Sequence, residues 1–323
     1  MYQADQKADT ILQILGQFQR FPVLSRSELA ANLGLYTSTV SIRTKELIEL
    51  GLVRESGSGE SGRQGGRRTT LLELDPGYGL FGAIYLRHTR LQAALFDPVL
   101  NQTAYIEEEL IDGALPSLIR KMTDWMKAEA GPFPLRAVGT AVSSVVSEAG
   151  AVDASSHFAQ SLPELPRIIA QEIPRAELIQ DNDANLAARI DLNLLQGGRR
   201  SLLHLLVFES IPTVGSGLVL NGALYRGPKG SAGELDESIF PLDGAAGYEL
   251  ARLGCLMGRY LNIEALFVSG ELSEDKRSEL ERALKGFQPE FPYQFIDDPR
   301  WVEKGAALAA MRKHIKTIAG VRT

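Results

Sequence analysis

Residues 24–54 read LSRSELAANLGLYTSTVSIRTKELIELGLVR, and their punctuation decides the first domain. In ELAANLG the apolar Leu29, Ala30 and Leu33 share one helical face, and Gly34 stops the helix. Thr37 or Ser38 then caps a further helix, which runs to Leu50 with Val40 and Leu47 as its buried stripe. Gly51 ends it and LVRE opens a strand. Upstream, Ile11, Leu12, Ile14, Leu15 and Phe18 recur at helical spacing and predict an amphipathic helix near residues 6–20.

Helix, helix, tight turn, helix and strand is the order of a winged helix-turn-helix, expected here over residues 1–60. The third helix is then the reading helix, and it offers Ser38, Thr39, Ser41, Arg43 and Lys45. Short hydroxyls let the backbone approach base edges, and a guanidinium forks to guanine or phosphate. The same pattern also serves the core of any small three-helix unit, which exposes polar residues without reading anything. Residues 61–75 follow as a Gly/Ser/Arg-rich wing tip or linker, with three Arg and no acid between Ser61 and Thr70. Such a segment packs no core. Arg63, Arg67 and Arg68 fit the narrow, negative minor groove, or merely solvate a linker.

Charge suits a chain that touches nucleic acid at one end. The net charge is −6, yet residues 1–75 hold nine basic and nine acidic side chains, so the acidic excess belongs to the remainder. No apolar run approaches the roughly 18–20 residues of a membrane helix. MYQADQKADT reads as neither a signal nor a transit peptide, so a cytoplasmic protein is expected. A lone cysteine, Cys255, excludes an intramolecular disulfide and any multi-cysteine zinc site.

Residues 76–323 alternate β-rich and helical stretches and form an α/β body. GLFGAIYLRHTRLQAALFD predicts two strands around a turn at 87–89, and LRAVGTAVSSVV another strand with a hairpin. IQDNDANLAARI is a strand running into a helix, LLHLLVFESIPTVGSGLVL supplies two strands, and ALFVSG a last one. The ordered runs GRQGGRRTTLLEL, IQDNDANLAA and VLNGALYRGPKGSAGE resemble the ROK family of sugar kinases and sugar-responsive repressors, most nearly its repressor branch for xylose and N-acetylglucosamine genes. The likeness runs from about Ile11 to about Leu308. It implies an actin-like (ribonuclease H-like) two-lobed ATPase fold behind the winged helix, with a cleft between the lobes.

The resemblance also marks losses. The family's kinases hold ATP on a DxGGT-type hairpin, where AIYLRHT puts Ile84 at the aspartate and Leu86–Arg87 at the glycines. Their second phosphate loop, GTGxGxG, is IPTVGSG here: Pro212 lacks a donor N–H, and Ile211 and Thr213 are branched. Phosphoryl transfer is therefore not expected, nor any cofactor. The family's structural zinc takes a His after AGE and a cysteine cluster. The His position is Glu237 and the cluster is missing, so no metal is expected, and a few tens of residues beside the sugar pocket are missing with it. The Asn and Asp of NDAN and the Glu of AGE, sugar contacts in the kinases, correspond to Asn182, Asp183 and Glu234, with Ser143–Ser144 at the family's Pro-Gly loop. Without a phosphoryl donor Asp183 binds rather than catalyses. Asn182 capping the next helix and Asp183 ordering a turn would explain the same motif with no ligand.

The expected protein is a transcription regulator, a repressor of carbohydrate-metabolism genes that binds double-stranded operator DNA as a homodimer or homotetramer. Its sugar-type effector would lie among Asn182, Asp183, Glu234, Glu237, Ser143 and Ser144. Two rivals stand beside it: a ligand-independent regulator whose body is only a dimerisation scaffold, and an ATP-dependent sugar kinase that keeps Asp183 as base. His204, in an apolar strand, is expected to be a satisfied core residue, and SEDKRSELERALK an exposed helix with i,i+4 pairs.

Overall fold

The computed structural model describes residues 2–58, 69–87, 89–111, 113–147, 163–195, 200–208, 213–227, 230–233 and 246–320. In the head, α1 (Tyr2–Arg20), α2 (Arg26–Leu33) and α3 (Thr37–Glu49) pack on a small antiparallel sheet. Its strands are β1 (Val23–Ser25), β2 (Val53–Ser58) and β3 (Thr70–Leu74), in the order β1-β3-β2. Ile14, Phe18, Leu29, Val40 and Leu47 are buried together, on the period the sequence predicts. A reciprocal cap starts α2: the Ser25 hydroxyl accepts from the Glu28 N–H at 3.2 Å, and the Glu28 carboxylate accepts from the Ser25 N–H at 2.7 Å. Gly34, at φ 64°, ends it in the left-handed conformation.

Three details of the head differ from expectation. The first helix begins at Tyr2 rather than near residue 6. Neither Thr37 nor Ser38 caps α3; Tyr36 is the N-cap and makes no side-chain cap bond, so both hydroxyl residues belong to the first turn. The end of the segment read as linker is β3, whose Leu72 and Leu74 are buried in the head core. Its period of two follows directly on Gly/Arg-rich sequence, which obscures it.

The body opens with β4 (Leu80–Leu86), β5 (Arg90–Phe96) and β6 (Gln102–Glu109), an antiparallel meander. After α4 (Leu115–Ala130), β7 (Leu135–Val142) joins β4 in parallel; after α5 (Glu164–Glu172), β8 (Glu177–Asn182) joins β7. Beyond α6 (Asp183–Leu194) the plan repeats. β9 (Leu202–Phe208), β10 (Thr213–Leu220) and β11 (Ala223–Leu224) are antiparallel. α7 (Ala246–Leu261), β12 (Ala265–Glu271), α8 (Glu274–Phe287) and β13 (Tyr293–Phe295) complete the second lobe, with β12 and β13 parallel to β9, and α9 (Trp301–Ile318) returns to pack on the first sheet. The sheet orders β6-β5-β4-β7-β8 and β11-β10-β9-β12-β13 are therefore one topology used twice, the two-lobed actin-like fold. ALFVSG is not the last strand; the short β13 follows it.

Helices α4 and α5 cover the outer face of the first sheet, and α7 and α8 that of the second. Helices α6 and α9 lie between the sheets on small residues. A Cβ on Gly139 of β7 would fall 2.1 Å from the Ala306 carbonyl oxygen of α9, and one on Gly217 of β10 would fall 2.3 Å from that of Ala184 in α6. Glycine is required where backbone meets backbone so closely. The Ala-rich sequence of α9, GAALAAM, is the other half of that packing.

Candidate functional site

On α3 the apolar Val40 and Leu47, with Thr44, face the core. The opposite face carries Ser38, Ile42, Lys45 and Glu49, all exposed. Ile42 is 56% exposed and Tyr36, just ahead of the helix, 84%. Neither stood among the reading residues expected from sequence, although the helical period places Ile42 opposite Val40. Thr39 and Ser41 are half-buried at the flanks. Arg43 is not on the open face: its guanidinium donates to both Glu46 oxygens, at 2.9 and 3.0 Å, and Lys7 of α1 approaches the same carboxylate at 3.5 Å. Arg63, Arg67 and Arg68 lie outside the described residues.

In the body, β8 runs into α6 at the NDAN run. Asn182 is the N-cap: its side-chain oxygen accepts from the Asn185 N–H at 3.1 Å, and its amide donates to the Ser144 carbonyl at 3.2 Å. Asp183 is buried, and its carboxylate accepts from the Ser143 hydroxyl at 2.6 Å, the Tyr85 hydroxyl at 2.8 Å and the Ala184 N–H at 2.8 Å. Burial pushes the Asp183 carboxyl above its ordinary pKa against those three bonds. The structure thus brings Asn182, Asp183, Ser143 and Ser144 together, and adds Tyr85, the residue after Ile84. Two buried polar atoms beside them, the Ser144 hydroxyl and the Asn185 side-chain oxygen, have no hydrogen-bond partner among the described residues. Glu234 and Glu237 lie outside the described residues.

A cavity of about 330 Å³ opens beside the β4–β5 hairpin, between the ends of β4, β9 and β12 and the start of α9. Arg87 crosses it, donating to Glu271 at 2.7 Å with its guanidinium 4.2 Å from the Phe208 ring centre. The bond from Arg87 holds the Glu271 carboxyl below its usual pKa range. Glu303, in the first turn of α9, lines the same cavity; burial raises its pKa to about 7 although Arg300 stands 3.3 Å away. Behind the cavity His204 is fully buried, with Nδ1 2.5 Å from Asp191 and Nε2 2.8 Å from Ser269, while the Trp301 indole donates to Asp191 at 2.8 Å. This network ties β9, β12, α6 and α9, the satisfied core histidine expected from sequence. Among the described residues no His, Cys, Asp and Glu cluster has the arrangement of a metal site.

Comparison with known proteins covers both parts of the chain. The winged helix-turn-helix DNA-binding family matches residues 7–54. A xylose repressor of Staphylococcus xylosus is 24% identical over 70% of this chain and 59% of its own length, so the chain spans about three fifths of that relative. The crystal structure of a ROK family transcriptional regulator, a homologue of the E. coli MLC protein, matches 98% of this chain and 99% of its own, with TM-score 0.70 at 14% identity. A ROK hexokinase from Thermus thermophilus matches 72% of this chain and 98% of its own, with TM-score 0.54 at 18% identity. Head and body are thus found together, in the same fold, in a ROK family regulator, while the hexokinase matches a smaller share of the chain.

Proposed function

We propose that this protein is a DNA-binding transcriptional regulator, a repressor of carbohydrate-metabolism genes that reads double-stranded operator DNA through α3. The observation that carries the reading is the open stripe Ser38, Ile42, Lys45 on a winged head: a hydroxyl, an apolar group and a cation on one accessible helical face. Ile42 suits a thymine methyl, and Lys45 a phosphate or guanine. Arg63, Arg67 and Arg68 would add backbone or minor-groove contacts beside the wing. The xylose repressors among its relatives support the gene class. Two copies of the head suit a palindromic operator, so a homodimer or homotetramer is proposed. Tyr248, Leu256 and Tyr260, exposed along α7, offer apolar surface to a second copy. No helix among the described residues is long and apolar enough to cross a membrane, and the proposed site of action is the cytoplasm.

The body is proposed to sense rather than catalyse. Arg87 and Glu271 fill the ground where nucleotide phosphates would need backbone N–H groups. A sugar-type effector would enter at Ser144 and Asn182 and exchange hydroxyls with Ser143 and Tyr85 on Asp183, with Glu234 and Glu237 nearby in sequence. One observation favours a second reading, a body that only assembles the dimer: Asp183 already accepts three bonds from its own chain. Selection of genomic fragments by the purified full chain tests the main proposal. Enrichment of a palindrome supports it, and featureless enrichment at low salt overturns it. Loss of that enrichment on adding a pentose or hexose separates the sensing body from the scaffold.

A further inference from the structure

A second cavity, about 1,100 Å³, lies in the seam between head and body, where α1 faces the edge of β8, α6 and α9. Tyr85, Ser143 and Asp183 do not line it, so it is separate from the cleft at the NDAN run. Its described wall carries Arg189, Arg226, Arg312, Lys313 and Lys316 against two carboxylates, Asp9 and Asp181. Asp181 is buried and already spent: both Arg226 nitrogens donate to it, one at 2.7 Å, and Arg189 stands 3.5 Å away. Lys313 donates to the Leu178 carbonyl at 2.6 Å.

That leaves positive charge unanswered. The Arg189 Nε–H is buried without an acceptor. Neither Arg312 nor Lys316 has a carboxylate within 4.0 Å among the described residues. Burial, reinforced by Arg189, lowers the Arg312 pKa to about 10, with Asp9 opposing. Arg189, Arg312 and Lys316 are half-buried side by side, with the buried carboxylate Asp181 already shared between Arg226 and Arg189, and an anion among them would offset their mutual repulsion. Guanidinium forks and an ammonium converging from α6 and α9 suit a tetrahedral oxyanion with acceptors in several directions. The volume admits a small molecule and excludes a duplex.

We infer that this seam is a binding site for a small phosphorylated metabolite, held by Arg189, Arg312 and Lys316. Asp9 and Leu12 of α1 form its head-side wall, so an anion there would outweigh the longer-range attraction between Asp9 and Arg312 and change how the head sits. Only this coupling rests on the DNA-binding reading; the site itself does not.

The test is calorimetric titration of the full chain, without DNA, with inorganic phosphate and separately with glucose 6-phosphate, at ionic strength held constant with chloride. Saturable binding of one equivalent per chain is expected. Arg312→Gln and Lys316→Gln should each weaken it about tenfold, as removal of one charge-assisted hydrogen bond does. Lys285→Gln, an equal loss of charge on the exposed α8, should leave it unchanged. Tighter binding of the ester than of phosphate identifies a metabolite site, and equal affinity a site for free phosphate, which overturns the metabolite assignment. Absence of saturable binding, or affinity that both variants keep while melting like the parent, overturns the site. Because no DNA is present, either failure leaves the regulator proposal standing.

Discussion

Arg87, one residue past the end of β4, donates to Glu271 at the end of β12 over 2.7 Å, and the bond runs from one lobe of the body to the other. The Arg87 side chain is 12% exposed and Glu271 56%, so the two partners should respond unequally. Arg87→Ala removes the ion pair and the stack on Phe208, and should cost about 1–3 kcal/mol in denaturant unfolding. Glu271→Gln should cost under about 1 kcal/mol, because its solvated end is screened. The pH sign follows from the lowered pKa of Glu271. The stabilisation stands in full above the unfolded carboxylate pKa of roughly 4.3 and fades as pH falls through the lower folded value. If the bridge closes the phosphate ground, magnesium and ATP should leave the melting temperature of the parent chain unchanged.

Lys45→Ala should weaken operator binding and make the log–log salt dependence shallower by about one unit for each phosphate it no longer neutralises. Arg43→Ala should act mainly on the head's stability, since Arg43 is engaged with Glu46 beside Lys7. Ile42→Ala should relax preference at one base position without altering the salt slope. Fluorescence anisotropy on a selected operator at several salt concentrations separates the three. A larger, salt-dependent loss for Arg43→Ala than for Lys45→Ala would return the reading role to Arg43.

Much of this is legible from period and punctuation. Gly34 ends α2 and the Val40–Leu47 stripe is buried, as the helical spacing requires. NDAN is where β8 becomes α6. The place of Arg43 is legible too, once the helix is wound: at about 100° per residue it lies roughly 60° from Val40, on the flank of the buried face. Other features are not readable along the chain. Tyr85 meets Asp183, and Arg87 meets Glu271, 98 and 184 residues apart in sequence. The basic seam joins Arg189 of α6 and Arg226 after β11 to the Arg312, Lys313 and Lys316 run of α9, and only that run is visible along the chain.

Gly139→Ala tests the packing that holds the lobes on their central helices. Its Cβ would lie 2.1 Å from the Ala306 carbonyl oxygen, and neither backbone can move without shifting β7 or α9. Overpacking of this kind costs about 1–3 kcal/mol or more. The loss should appear in denaturant unfolding and persist with either sugar or phosphate present. Gly286→Ala, where a Cβ meets nothing within 4 Å, is the matched control in α8 and should change stability little.

Glu303 should impose the clearest pH dependence on the body. Its side chain is 2% exposed, and burial raises its pKa to about 7 despite Arg300. An acid whose folded pKa exceeds its unfolded value binds more protons in the folded state between the two. Its contribution to stability is therefore undiminished below about pH 4, falls as pH rises toward 7, and is level above that. The span corresponds to on the order of 3 kcal/mol at about 1.36 kcal/mol per unit. Glu303→Gln keeps the shape and removes the ionisation, so it should stabilise the chain at about pH 8 and change little at about pH 4.5. Chemical unfolding of parent and variant across that range decides it. Parallel pH profiles would mean that Glu303 stays ionised beside Arg300, and the cavity at the start of α9 would then carry a fixed negative charge at neutral pH.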